Sequence, residues 1–156
     1  MGQYYGIPNA VAATGTFDRM GTGYAHSCAL AETTNALWCW GNNDYGQRGG
    51  AASSNYDPVA IAGTTLTELA SARHSNCGVT AGGARRCWGM NGSAQLGNGG
   101  TTPENVTTPT TITEAQTSWS RLTMGDTSAA ASPAARFIAG VTTSRARPGS
   151  PRPRHR

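Results

Sequence analysis

The chain is 156 residues long, 37% hydrophobic and 13% charged, with a formal net charge of +4. That length suits one ordinary domain, and all twelve basic residues are arginines. The absence of lysine excludes a phosphate-loop lysine, a Schiff-base lysine and a lysine general base, and no apolar run reaches the length of a membrane-spanning helix.

Residues 1–15 begin with neither a basic start nor an apolar run, so they carry no signal-peptide pattern. Gly2-Gln3, Gly6, Ile7-Pro8 and Val11 instead read as the end of a preceding repeat. Residues 16–64 and 65–118 then form two copies of one unit. Cys39, Trp40, Gly41, Asn43, Gln47 and Gly49 return 48 positions later as Cys87, Trp88, Gly89, Asn91, Gln95 and Gly97. Upstream, Phe17, Met20, Gly23, His26 and Cys28 correspond to Leu66, Leu69, Ala72, Ser75 and Cys77. A period of this length without helical spacing falls in the range of propeller blades.

Each core reads as a hairpin. His26 to Leu30 and Ala36 to Trp40 are apolar runs joined by the polar stretch Glu32 to Asn35; in the second copy Ala81-Gly82-Gly83 is the turn, one residue shorter. A four-residue and a three-residue loop both place the cysteines opposite one another, Cys28 with Cys39 and Cys77 with Cys87. Opposed Cβ atoms lie about 4.5–5.5 Å apart, at the border of disulfide reach, so two local bridges are predicted. Two other readings stand beside them. The four cysteines can be small buried thiols, or His26 and His74 can join them around zinc, although Cys-x10-Cys and Cys-x9-Cys lack the short spacing of structural zinc sites.

Residues 119–126 open a third copy through Trp119, Leu122 and Gly125, and the pattern dissolves at Ser128 and Ala130. Residues 127–156 are rich in Ala, Pro, Ser and Arg, which predicts a disordered or irregular tail. Charge divides at the same place. Residues 1–126 hold six arginines against eight acids, net −2, whereas the tail has six arginines, no acid and a charge of +6. The repeat portion is therefore no basic nucleic-acid binder, and phosphate contact would fall to Arg145, Arg147, Arg152, Arg154 and Arg156. The tail also reads as a plain solvated segment, or as out-of-frame translation of a GC-rich gene.

The strings HSCAL, CWGNNDYGQRG and Pro58-Val59, then CWGMNGSAQLGNG and Pro103 to Val106, resemble the regulator-of-chromosome-condensation repeat over Gly2 to Asp126. The resemblance implies an all-β fold of four-stranded antiparallel blades in a ring of about seven. This chain would supply a partial propeller arc of about two and a half repeats, a fragment of a longer protein. Three positions depart from the pattern: Ser75 for His26, Ala94 for Gly46 and Arg48 for Leu96. The motif has physical roles of its own. Trp40 and Trp88 offer apolar area for blade packing, Gly41, Gly89, Gly49 and Gly97 mark sharp turns or close approaches, and Asn43, Asn91, Gln47 and Gln95 suit loop hydrogen bonds.

No G-x-S-x-G elbow or H-E-x-x-H helix occurs. His26 and Ser27 are adjacent on a strand and point to opposite faces, so they make no nucleophile and base pair. The expectation is a non-catalytic module without cofactor or metal that binds or scaffolds another protein, similar to secreted bacterial members of the repeat family. Paired cysteines lean toward an extracellular or cell-envelope setting. The alternatives are a regulator of a small GTPase resembling the family's namesake, and nucleic-acid contact through the tail. Open blade edges also permit self-association. Asn91-Gly92-Ser93 and Asn105-Val106-Thr107 are formal glycosylation triplets.

Overall fold

The computed structural model describes residues 15–50, 58–113, 119–125 and 128–133, and all its regular structure there is strand. The first sheet contains β1 (Phe17–Thr22), β2 (His26–Ala31), β3 (Ala36–Gly41) and β4 (Val59–Thr65), in that spatial order. The second repeats it with β5 (Glu68–Ser71), β6 (Ser75–Val79), β7 (Arg85–Met90) and β8 (Asn105–Thr111). Every neighbouring pair is antiparallel. These are the four-stranded blades that the repeat resemblance implied.

Turn chemistry sets the registers. In the first blade the loop Glu32 to Asn35 leaves Leu30 opposite Leu37 and Cys28 opposite Cys39. Asn35 closes that loop, donating its N–H to Ala31 O at 2.8 Å. In the second, Gly83 takes a left-handed φ of +80° and bonds Thr80 O at 2.9 Å, which places Val79 opposite Arg85 and Cys77 opposite Cys87. The Cα atoms of each cysteine pair stand 4.1 Å apart, the close spacing of opposed positions that exchange no backbone bonds. Disulfides Cys28–Cys39 and Cys77–Cys87 cross the two hairpins, and no described cysteine is free.

The two central strands of each blade are covered on both faces, so β6 is buried at every residue and Cys28, Ala29 and Leu30 of β2 are fully buried. The core runs unbroken across the blade boundary: Leu30, Leu37 and Ile61 join Leu66, Trp88, Leu96, Val106 and Ile112 in one cluster, with Leu69, Leu122 and Met124 packed against it. A blade buries its apolar face on its neighbour, and this is the energetic reason a repeat array coheres. The first strands lie side by side, β1 against β5 and β5 against β9 (Trp119–Gly125), so they form the inner wall of the arc.

One boundary differs from the sequence expectation. The irregular tail was expected from residue 127, yet Ser128–Pro133 forms β10, antiparallel to β9 with Ser128 opposite Gly125 and Ala131 opposite Leu122. This Ala-rich stretch has no β-branched residues to signal a strand; the neighbouring ladder supplies what propensity does not. Residues 134–156, with Arg145, Arg147, Arg152, Arg154 and Arg156, lie outside the described residues, as does the expected preceding repeat end before Gly15.

Candidate functional site

The antiparallel order places two kinds of loop at opposite ends of the blades. The hairpins at 32–35 and 81–83 occupy one face. The inner turns at 23–25 and 72–74 and the long connections after β3 and β7 occupy the other, because the start of β2 pairs with the end of β3 and the start of β6 with the end of β7. The repeat motif sits on this second face. Gly41 and Gly89 end the third strands with φ of +94° and +99°, and a side chain on either would strike a carbonyl oxygen, that of Ala25 or of His74. The next residues use those oxygens, Asn42 N–H bonding Ala25 O at 2.7 Å and Met90 N–H bonding His74 O at 2.9 Å.

The following loops are built alike. Asn43 Oδ1 accepts from Arg48 N–H at 2.9 Å and Gln47 Oε1 from Tyr45 N–H at 2.8 Å. In the second copy Asn91 Oδ1 accepts from Leu96 N–H at 3.3 Å and Gln95 Oε1 from Ser93 N–H at 2.9 Å. Ala94 holds the left-handed turn, with φ of +56°, that Gly46 makes at +77°, and Arg48 lies buried in the position of Leu96. Asn91 is fully buried, and its Nδ2 donates to Gly100 O at 3.1 Å and Pro103 O at 3.2 Å. That amide is therefore closed to any modification of the folded chain, whereas Asn105 is exposed.

The Gln47 carbonyl takes two bonds across the blade boundary. Gln47 O accepts Trp88 Nε1–H at 3.0 Å and Asn76 Nδ2–H at 2.8 Å, both from the second blade. A carbonyl can only accept, so the Asn76 amide nitrogen must face it and Oδ1 faces the other way. There Oδ1 receives Ser71 Oγ–H at 2.6 Å and lies 2.9 Å from His26 Nε2. His26 therefore carries its proton on Nε2, and its Nδ1 is buried without a partner. Burial pushes the His26 pKa below the ordinary imidazole value; the Asn76 bond opposes this shift and neighbouring His74 adds to it. Trp88 is fully buried, while Trp40, its counterpart, is half-buried with its ring 6.5 Å from Phe17. The two surroundings differ because Trp88 has the Gln47 loop of a preceding blade to pack on.

Above this junction the loop face carries a row of rings. The Arg73 guanidinium lies 5.6 Å from the Tyr24 ring centre, Tyr24 meets His74 edge-on at 6.0 Å, and His74 packs on Tyr45 at 4.8 Å. Tyr24 is 76% exposed, the largest exposure of any bulky apolar side chain among the described residues. A cavity of about 440 Å³ opens where the inner turns meet, lined by Thr22, Gly23, Tyr24, Ala72, Arg73, Met124 and Gly125. A second, about 380 Å³, lies outward between the blades against Asn43, Asp44, Tyr45, Asn105 and Thr107. Among the described residues no group of three His, Cys, Asp or Glu side chains comes together as metal ligands. The structure brings His26, Gln47, Gly49 and Trp88 to one junction and keeps Asn43, Asn91 and Gln95 in their own loops. Sequence reasoning missed Asn76, whose counterpart is Ser27, and the tip residues Tyr24 and Arg73, which differ between copies and so leave no repeat signal.

Comparison with known proteins agrees with this architecture. Residues 19–47 match the model of the regulator of chromosome condensation (RCC1) repeat. No match is found among curated proteins. Among solved structures the chain is similar to human WBSCR16, with 21% identity over 79% of this chain and 32% of that one and a TM-score of 0.70. It is also similar to yeast RCC1 (Prp20) bound by Kap60, with 19% identity over 76% of this chain and 30% of the other and a TM-score of 0.65. Prp20p from Saccharomyces cerevisiae, in a structure reported with its binding properties to Gsp1p and histones, shows 17% identity over 68% and 27% of the two chains, at a TM-score of 0.60. The chain thus spans less than a third of the length of these structures. With two matching blades, the family-model match at residues 19–47 and these neighbours, the chain carries an RCC1-type repeat there and folds as an arc of an RCC1-type β-propeller.

Proposed function

We propose that this chain is a non-catalytic module that binds another protein through the face bearing Tyr24, Tyr45, Arg73 and the long loops. The observation that carries the reading is the exposed Tyr24, stacked beneath Arg73 across two blades that the Gln47 junction holds together. Exposed aromatic and arginine side chains on a preorganised frame are what protein interfaces use as anchors. The similar yeast structures support the same direction, since RCC1 (Prp20) was solved bound by Kap60 and Prp20p was studied for binding to Gsp1p and histones. The two disulfides favour an extracellular or cell-envelope setting.

The test is site-directed photo-crosslinking in the producing cells, with the reactive residue placed at Tyr24 or Tyr45 on the loop face and at Glu32 or Ala81 on the hairpin face. Discrete adducts from the first pair alone support the reading. Adducts from both faces alike, or from the hairpin face only, contradict it. The alternative of a small-GTPase regulator predicts faster release of bound GDP when the chain is added to the GTPase, and that alternative falls if the release rate is unchanged.

A further inference from the structure

We infer that the cavity where the inner turns meet accepts a peptide segment pairing a carboxylate with an apolar side chain, with Arg73 meeting the carboxylate and Tyr24 and Met124 the apolar group. The inference rests on the protein-binding reading above and specifies the chemistry of the partner. Three successive units contribute equivalent positions to the cavity. Gly23, Ala72 and Gly125 correspond in the repeat, and their small side chains leave a hollow of about 440 Å³. On that uniform frame the next position varies, Tyr24 in the first unit and Arg73 in the second, as expected of positions that select a ligand rather than support the fold.

Charge decides which ligand. Among the described residues Arg73 is the one charged residue in the lining, it is exposed, and no acidic side chain lines the cavity. With its Cζ 5.6 Å from the Tyr24 ring centre, the Arg73 guanidinium brings the planar set of N–H donors that takes a carboxylate side-on. The floor is apolar, since Met124 packs against the core and the ring of Tyr24 forms a wall. Arg73 O also accepts Tyr24 N–H at 3.0 Å, so the two anchors belong to one rigid unit across the blade boundary.

The test is titration of the isotope-labelled full chain, followed by backbone amide shifts, with two capped hexapeptides: Gly-Glu-Leu-Glu-Phe-Gly and its counterpart with lysine for glutamate. The acidic peptide should move the amides of Gly23, Tyr24, Arg73 and Gly125 and bind about tenfold more tightly than the basic one, with the difference shrinking in high salt. Arg73→Glu should reverse the order, and Tyr24→Ala should weaken both peptides. Equal binding of the two peptides, shifts confined to other sites, or no binding would overturn the inference. So would acidic-peptide binding that emerges only in Asp126→Asn, since it would make the chain's own carboxylate the partner of Arg73. Cross-linking through Tyr24 without any charge preference would leave the binding face standing and remove this inference alone.

Discussion

Trp88 Nε1 donates to the backbone oxygen of Gln47 across 41 positions of sequence, at 3.0 Å. A side chain at the centre of one blade is thereby tied to the main chain of the blade before it, and Gly49 leaves room for the indole against the same loop. The bond fixes the angle at which the second blade meets the first, and with it the spacing of Tyr24 and Arg73 on the face above.

Substituting Trp88→Ala removes both the fully buried indole and its bond, and should cost roughly 3–5 kcal/mol of unfolding free energy. Trp88→Phe keeps most of the apolar area and Gln47 O keeps Asn76, so its cost should be about 1 kcal/mol. Trp40→Ala, at a half-buried position, should cost less than Trp88→Ala. Denaturant unfolding of the three variants orders them, and equal losses for the two alanine variants would show that the blades do not meet as described.

Asn76 serves three partners at once: Gln47 O, Ser71 Oγ and His26 Nε2. Asn76→Ser, which installs the residue of the other copy, leaves the histidine donor buried without its acceptor, and should cost about 1–3 kcal/mol. A loss no larger than that of an exposed Ser or Thr substitution would remove Asn76 from the junction.

His26 makes the junction sensitive to acid. Its folded pKa lies below its unfolded value of about 6.5, chiefly through burial, so the unfolded chain takes up the proton first. The stabilising contribution is complete above about pH 6.5 and is lost as the pH falls from there through the folded value. Denaturant unfolding at neutral and mildly acidic pH should show a fall in stability that is smaller in His26→Ser, the residue found at Ser75 in the second blade. A variant with the wild-type slope would assign the pH dependence elsewhere.

The two disulfides close loops with sequence separations of 11 and 10, for which chain-entropy reasoning gives roughly 3 kcal/mol each. Non-reducing denaturation should reveal no free thiol, and reduction should lower the unfolding midpoint. Four titratable thiols in the untreated protein would contradict both bridges.

How far the sequence reached is clearest at these residues. Cys28 opposite Cys39 was legible because a four-residue polar loop leaves one register, and local turn chemistry decides it. The loops after Trp40 and Trp88 were legible because they repeat. Asn76 was not, since its partner Gln47 O lies 29 positions away across a blade boundary and Ser27 replaces it in the first copy. Tyr24 and Arg73 escaped notice because they differ between the two copies, so no repeat pointed to them. β10 escaped because its strand is imposed by β9 and not by its own alanines.

Exchange of the indole N–H protons, followed by NMR on the folded protein, tests the blade junction most directly. The account predicts that the Trp88 proton, buried and bonded to Gln47 O, exchanges far more slowly than that of half-buried Trp40. Exchange of Trp88 as fast as that of Trp40 would contradict the docking of one blade on the next, and with it the rigid face on which the proposed binding site depends.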